Sequence, residues 1–238
     1  MNFLTFNDFP VIYFDLGGGT GKHSFTYPQI ETIVTCKTQN PTVILSHWDM
    51  DHIETAIRDT SNCSLDWVVP LQKVGKTHYT LALRISNSGN LLIWPNNLSL
   101  LSFVGGDIIK CNGTSKNDSG LALVIKSNSI GQSLLPGDAQ YGCIPGLTKY
   151  VLSCLVVSHH GSNSAQSNVP MANGNKWIAY SFGNNNWGHP TTNTRNAHQH
   201  KQWNIVRETI NGSIVFDTKN YTSPCGSVQC NLFADQYF

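Results

Sequence analysis

The sequence predicts a layered α/β protein in which two β-sheets pack face to face and helices cover their outer faces. Three observations lead to this prediction. Short apolar segments rich in β-branched and aromatic residues recur along the 238-residue chain. They fall into two groups with helix-like segments between them, and no linker or change of composition divides the chain. We therefore expect one domain over residues 1–238.

The first predicted elements follow the order strand, loop, helix, strand. Residues 11–16 are β-branched and aromatic and lead into a glycine turn, which indicates a buried strand with Asp15 at its end. Residues 28–36 have an apolar spacing that fits a helix. Residues 42–45 form the next strand, and residues 53–57 the helix after it.

A succession of strands is predicted from residue 67 onward, because apolar runs alternate with clusters of Asn, Gly and Ser. Residues 147–157 are expected to begin as a helix and to end as a strand. The predicted strands cover residues 67–71, 79–85, 91–94, 120–126, 132–135, 154–157, 177–182, 205–208 and 214–216.

Composition argues against several classes of protein. The net charge is +1 and 12% of residues are charged, so the chain lacks the broad basic surface that holds long nucleic acid by charge alone. The sequence contains neither an 18-residue apolar run nor a charged start followed by a long apolar stretch, so we expect a cytoplasmic protein without a membrane partner. Seven cysteines without a CxxC pair argue against a complete disulfide framework.

The most informative segment follows the strand at residues 42–45. It reads Ser-His-Trp-Asp-Met-Asp-His and places four metal-capable side chains within six positions: His47, Asp49, Asp51 and His52. A strand that ends in a tight turn lets such ligands converge on one point. Asp51 could instead cap the following helix, but capping explains one residue rather than four.

Four later segments repeat this pattern of a possible ligand beside an apolar strand. Taken singly, each has an ordinary alternative, such as a turn aspartate or a hydrogen-bonded core histidine. Their order alongside the first motif favours a common site. The residues concerned are Asn117, Asp118, Asp138, His159, His160 and His189.

The ordered motifs resemble the metallo-β-lactamase superfamily, and within it the soluble metallohydrolase domain of the ComEC DNA-uptake proteins and its free-standing relatives. The resemblance spans residues 11–217 and implies a four-layer αββα sandwich with a dinuclear metal site at the open edge between two sheets. The motifs are Asp-x-Gly-Gly at 15–18, His-x-Asp-x-Asp-His at 47–52, Leu-x-Gly-Asp at 135–138, Ser-His-His-Gly-Ser at 158–162 and Asn-x-Trp-Gly-His-Pro at 185–190.

Two divalent metal ions, Zn²⁺ or Mn²⁺, are implied by this resemblance. His47 and Asp49 would hold one ion, Asp51 and His52 would hold the other, and Asp138 would bridge them. Asp49 stands where most members of the superfamily have a histidine. The ComEC-like branch has an aspartate at this position. An oxygen ligand shifts the preference toward Mn²⁺ without excluding Zn²⁺.

One of His159 and His160 would complete the shell of the second ion, and His159 is favoured because it comes first after the strand. The histidine of the superfamily's third motif is missing, and Asn117 or Asp118 occupies that region. The opening hairpin of the family is also absent. We therefore expect a first sheet with a shortened N-terminal edge, which residues 1–9 or a protein partner would complete.

The implied reaction is hydrolysis by a metal-activated water. Its catalytic candidates are Asp51, Asp138 and His189, and its substrate-binding candidates are Asn185, Asn186 and Ser162. His189 could alternatively be a distal metal ligand.

The leading interpretation is a phosphodiesterase or nuclease acting on DNA or another nucleotide substrate. One alternative is a hydrolase of a lactone, ester, thioester or lactam, and another is a catalytically weak metal-binding accessory module. Nucleic-acid binding requires positive charge near the cleft. The candidates for this charge are Lys22, Lys73, Lys76, Lys116, Lys149 and Lys176.

Overall fold

Two β-sheets form the centre of the protein in a computed structural model, which describes residues 2–6, 9–17, 40–127, 131–183 and 187–211. Strands of the first sheet follow one another in chain order, with β1 antiparallel to β2 and the remaining neighbours parallel. They are β1 (Asn2–Phe6), β2 (Phe9–Phe14), β3 (Thr42–Ile44), β4 (Asp66–Val69) and β5 (Asn90–Ile93).

The second sheet has its strands in the order β12-β11-β10-β9-β8-β7-β6. Strands β9 to β12 are parallel to one another, and β6 to β9 are joined as antiparallel neighbours. Their bounds are β6 (Leu100–Phe103), β7 (Gly106–Lys110), β8 (Leu121–Ser127), β9 (Gly131–Leu135), β10 (Leu152–Val156), β11 (Trp177–Tyr180) and β12 (Ile205–Glu208).

Alternating side chains build the layers, because successive residues of a strand point to opposite faces of its sheet. Ile44 of β3 packs with Leu123 of β8 in the core between the sheets, whereas its neighbour Val43 faces the helices α1 (Met50–Arg58) and α2 (Lys76–Ser88). The outer face of the second sheet is covered by short 3₁₀ turns and by α3 (Thr192–His200). The predicted αββα layering is confirmed.

The N-terminal edge of the first sheet is formed by the strand β1. Strand β1 pairs along β2 from Asn2 opposite Phe14 to Phe6 opposite Phe9. The chain's own first residues therefore extend this edge, as one of the two alternatives expected, and a protein partner at β1 stays a prediction.

The prediction of a strand at residues 79–85 is wrong, because this segment lies within α2. Its apolar residues alternate and so imitate a strand, but Leu81 and Ile85 are buried four positions apart while Tyr79 and Leu83 are exposed. That is the period of a helix with one buried face. Strands β6 and β7 and helix α3 were not predicted. The predicted helix at 28–36 and strand at 214–216 lie outside the described residues.

Four parallel strands lead into polar segments at their carboxyl ends. Strand β2 is followed by Asp15, β3 by residues 46–52, β9 by residues 136–139, and β10 by residues 158–162. Such ends are where layered α/β proteins bind ligands. Among the described residues, none of the helices has the length and apolar character required to cross a bilayer.

His198 of α3 is buried beneath the second sheet between two tyrosines. Its Nε2 lies 2.9 Å from the Tyr141 hydroxyl, and its Nδ1 lies 2.7 Å from the Thr194 carbonyl oxygen. Burial lowers the pKa of His198 to about 4, although the bond to Thr194 opposes this shift. The folded protein therefore keeps this imidazole neutral.

We predict that His198 makes the protein less stable in acid. Below pH 6.5 the unfolded chain protonates this histidine and the folded protein does not, so the free energy of unfolding falls with falling pH, by up to about 3 kcal/mol near pH 4. Urea unfolding from pH 7 to 4 should show a smaller loss for His198→Gln than for the wild type. The exposed His200→Gln should behave as the wild type, and equal losses in both variants would contradict the prediction.

Candidate metal centre

The predicted metal ligands meet at the edge between the two sheets. They arrive on three segments that follow β3, β9 and β10. Distances between their side-chain atoms join them into one cluster, and its members are His47, Asp49, Asp51, His52, Asp138, His159 and His160.

Asp138 lies at the centre of this cluster and is 5% exposed. Its Oδ2 lies 3.7 Å from His47 Nε2 and 3.5 Å from His159 Nε2. Its Oδ1 lies 3.2 Å from His52 Nε2 and 3.7 Å from His160 Nε2. One carboxylate therefore faces two pairs of imidazoles, one pair at each oxygen.

The other two aspartates extend these pairs. Asp49 Oδ2 lies 3.2 Å from His47 Nε2, on the side that also holds His159. Asp51 Oδ2 lies 3.4 Å from His160 Nε2 and 3.7 Å from His52 Nε2. The sequence favoured His159 beside Asp51, but the structure has His160 there.

The donor atoms have the spacing that a metal site requires. Nitrogen and oxygen atoms of His47, His52 and Asp138 lie within 4.8 Å of one another, as do those of Asp51, His52 and His160. His47 Nε2, His52 Nε2 and Asp138 Oδ1 are buried. A carboxylate oxygen lies 3.2 Å from each of the two nitrogens, but none of the three atoms has a partner in hydrogen-bond geometry among the described residues. Since buried polar atoms are normally satisfied, this set fits a divalent cation. A cavity of about 30 Å³ between Asp51 and Asp138 has room for a water-sized group.

Charge within the cluster shifts the ionisation of its members. Burial alone would lower the pKa of His52, but the carboxylates of Asp15, Asp138 and Asp51 raise it well above its usual value. Burial likewise opposes ionisation of Asp138, but His52 and His47 hold its pKa well below the usual range. The carboxylates therefore stabilise positive charge in the cluster. Metal binding at His52 would release a proton from this imidazole.

Asp15 and Ser46 hold His52 from behind. Asp15 Oδ2 lies 2.8 Å from His52 Nδ1, and Asp15 also accepts hydrogen bonds from the Ser46 backbone N–H at 2.6 Å and the Ser46 hydroxyl at 2.9 Å. Such a carboxylate fixes the imidazole so that Nε2 points at the metal position. Asp15 adopts φ 64° to make these contacts.

Residues 115–119 close the side of the site beside Asp49. The ammonium of Lys116 contacts Asp49 Oδ1 and the Trp48 carbonyl. Asn117 Nδ2 lies 3.5 Å from Asp138 Oδ2, whereas Asp118 accepts hydrogen bonds from the backbone and side chain of Gln140. Of the two residues that the sequence offered in this region, Asn117 is the one at the cluster.

His189 also lies at the site, with its ring centroid 6.1 Å from that of His159. Burial, together with the neighbouring His159 and His160, lowers the pKa of His189, so this imidazole stays neutral. The Ser162 hydroxyl accepts a hydrogen bond from the Ser164 backbone N–H. Asn185 and Asn186 lie outside the described residues.

Three glycines let the surrounding backbone approach residues 46–52, which form the first ligand turn. A Cβ atom at Gly17 would lie 1.8 Å from the Asp51 carbonyl oxygen, and one at Gly120 would lie 2.2 Å from the Ser46 carbonyl oxygen. A Cβ atom at Gly137 would lie 2.5 Å from that of Ser46. These positions have no space for a side chain.

Sequence reasoning assigned no role to Asp15, Ser46 or Lys116 as individual residues. Asp15 had a usable signal, because an aspartate that ends a buried strand before a glycine turn is held near the strand-end site. Lys116 was expected only as one of six possible cations. Nothing in the sequence indicated a role for Ser46 apart from its position before His47.

No protein-family model and no curated protein matches the sequence. Sixteen chains of solved structures have a similar chain course. A protein from Thermotoga maritima assigned as a metallo-β-lactamase is 16% identical over 57% of this chain and 66% of its own, with a TM-score of 0.37. The isothiocyanate hydrolase from Delia radicum gut bacteria is 15% identical over 72% and 75%, with a TM-score of 0.43. An N-acyl homoserine lactone hydrolase is 14% identical over 87% and 78%, with a TM-score of 0.41.

We predict that Asp15→Asn weakens Zn²⁺ binding by about 10- to 100-fold, because the amide no longer fixes His52 as the carboxylate does. Competition with a chromogenic chelator measures this change. Asp66→Asn is the matched control, since Asp66 contacts Asn90 and not the cluster. Wild-type affinity in Asp15→Asn would show that His52 is oriented without this carboxylate.

Proposed function

We propose that the protein is a metal-dependent hydrolase of a carbonyl ester such as a lactone. The observation that carries the proposal is the buried Asp138 carboxylate, which faces His47 and His159 with one oxygen and His52 and His160 with the other. This arrangement supports two neighbouring cations that share one bridging ligand.

The first ion would be held by His47, Asp49 and His159, and the second by Asp51, His52 and His160. Asp138 would contribute one oxygen to each. Imidazole and carboxylate donors suit Zn²⁺ and Mn²⁺. When bound, these ions would lower the pKa of a water molecule and stabilise the negative charge that develops on the carbonyl oxygen as the carbonyl carbon is attacked.

The protein's own residues would orient the reactants. Asp51 is partly exposed. Burial and the nearby Asp138 carboxylate would raise its pKa, but His52 and His160 outweigh them and lower the pKa below its usual value, so Asp51 is ionised. Its carboxylate can accept a hydrogen bond from a water molecule in the cleft. Neutral His189, beside His159, can exchange a hydrogen bond with a substrate oxygen or leaving group.

The distribution of positive charge supports an uncharged substrate. Among the described residues, Lys116 is the lysine or arginine that contacts the cluster, and Asp49 already pairs with it. Lys149 lies over the Tyr150 ring, and Lys176 bonds to Gln202. A polyanion needs several cations along its path, and these two lysines contact residues outside the cluster. A carbonyl ester develops a single negative oxygen, which the two ions would stabilise.

The second candidate is phosphodiester hydrolysis, the reading that the ComEC-like motif favours. Its supporting observation is Asp49, which stands in the position typical of that branch and lies 3.2 Å from His47. The same cation pair would stabilise a phosphoryl oxygen.

We predict that activity requires the cluster and its metal. Asp138→Asn and His160→Gln should each lower kcat by at least about 100-fold, since a bound cation contributes several kcal/mol to the transition state. Steady-state rates with added Zn²⁺ or Mn²⁺ measure the loss. His200→Gln, on the exposed end of α3, is the control and should keep the wild-type rate. Full activity in Asp138→Asn would overturn the role of the cluster.

A substrate panel tests the class of bond. We expect hydrolysis of an N-acyl homoserine lactone, with kcat/KM changing less than about twofold between about 50 and 200 mM salt, because a neutral ester displaces few counterions. Bis-p-nitrophenyl phosphate and single-stranded DNA form the other arm. Turnover of these two substrates alone, with the rate on DNA falling steeply with salt, would replace the ester hypothesis with phosphodiester hydrolysis. Metal binding without turnover of any panel member would support an accessory module and overturn the hydrolase.

A further inference from the structure

Three hydrogen bonds join the segment that carries Asp138 to the segment that carries the paired histidines. The His159 backbone N–H donates to the Gly137 carbonyl oxygen at 3.1 Å. The Ser158 hydroxyl donates to the Ala139 carbonyl oxygen at 2.8 Å, and the Ser158 backbone N–H donates to the Tyr141 hydroxyl at 3.2 Å. Every second residue from 137 to 141 therefore contacts Ser158 or His159.

The third of these bonds depends on His198. Because His198 Nδ1 donates to the Thr194 carbonyl oxygen, its Nε2 must be the acceptor of a neutral imidazole. The Tyr141 hydroxyl therefore donates to His198 Nε2, which leaves its oxygen to accept the Ser158 N–H. This connects α3, on the outer face of the second sheet, to a residue adjacent to His159.

The paired histidines need such support. His159 and His160 adopt φ 47° and φ 54°, in the left-handed region that side chains other than glycine rarely occupy. Each residue in that conformation costs about 1–2 kcal/mol, so the surroundings must hold both in place. Ser158, at the start of this turn, is fully buried and has its backbone N–H and hydroxyl engaged.

We propose that Tyr141 and His198 are positioning residues of the metal centre, which act through Ser158 to hold His159 and His160 against Asp138. The inference rests on the metal centre of the proposed function and extends it to two residues that do not touch the cluster. Each is almost completely buried, so their bond is shielded from competition with water.

Tyr180 provides a matched control. Its hydroxyl lies 3.3 Å from His198 Nδ1, so the same imidazole contacts both tyrosines. Among the described residues, the Tyr141 hydroxyl also accepts a hydrogen bond from the Ser158 backbone N–H, whereas the Tyr180 hydroxyl contacts His198 and does not reach the segment that carries the paired histidines. Tyr141→Phe and Tyr180→Phe each remove one buried hydroxyl beneath the same sheet.

The test measures Zn²⁺ affinity by chelator competition, the visible absorption of the Co²⁺-loaded protein, and urea unfolding of the metal-free protein. We expect Tyr141→Phe to bind Zn²⁺ about tenfold more weakly and to alter the Co²⁺ spectrum, which reports ligand geometry. Tyr180→Phe should leave affinity and spectrum unchanged, whatever its effect on unfolding. His198→Gln, whose side-chain oxygen can accept the Tyr141 hydroxyl, should bind Zn²⁺ more tightly than His198→Leu.

Wild-type affinity and spectrum in Tyr141→Phe would overturn the inference and leave the proposed function intact. Equal losses of affinity in Tyr141→Phe and Tyr180→Phe would also overturn it, since a general loss of packing would then be the cause. A wild-type protein that binds no Zn²⁺ would overturn the proposed function and the inference together. If His198→Leu does not fold, the comparison of the two tyrosine variants still decides.

Discussion

An ionised carboxylate can stay buried only where positive charge and hydrogen-bond donors compensate for the lost water, and this constraint organises the site around Asp138. Four imidazoles face its two oxygens, and the charge on Asp138 in turn favours a proton on His52. A protein without a cation must hold protons here to balance its carboxylates. The arrangement is therefore suited to exchange protons for metal.

The sandwich explains how residues so far apart in sequence reach one carboxylate. Strands β2 and β3 belong to one sheet and β9 and β10 to the other, and the packed sheets bring their carboxyl ends to a common edge. Each ligand segment then has a partner behind it: Asp15 and Ser46 support His52, and Ser158 fixes the paired histidines. The inter-sheet core around Ile44 and Leu123 thus determines the distance between the two halves of the site.

The fold and the membership of the cluster could be predicted because both leave local marks in the sequence. Buried parallel strands read as apolar runs, and ligands follow directly where those runs end. The error at residues 79–85 arose because alternate apolar residues fit a strand while Leu81 and Ile85 also fit a helix, and only packing against the first sheet decides between them. The pairing of His160 with Asp51 was beyond sequence reasoning for another reason. It depends on the left-handed backbone conformation of His159 and His160, which the residue types at these positions do not predict.

Gly17, Gly120 and Gly137 press backbone directly against the first ligand turn. A directed-evolution library that seeks new substrates should therefore leave these three codons unchanged, even though none of the glycines carries a reactive group. Diversity is better tolerated at exposed positions, for example at Trp187, which is 80% exposed. Substitutions are consequently restricted at the glycines that contact the cluster's backbone and are tolerated at exposed positions.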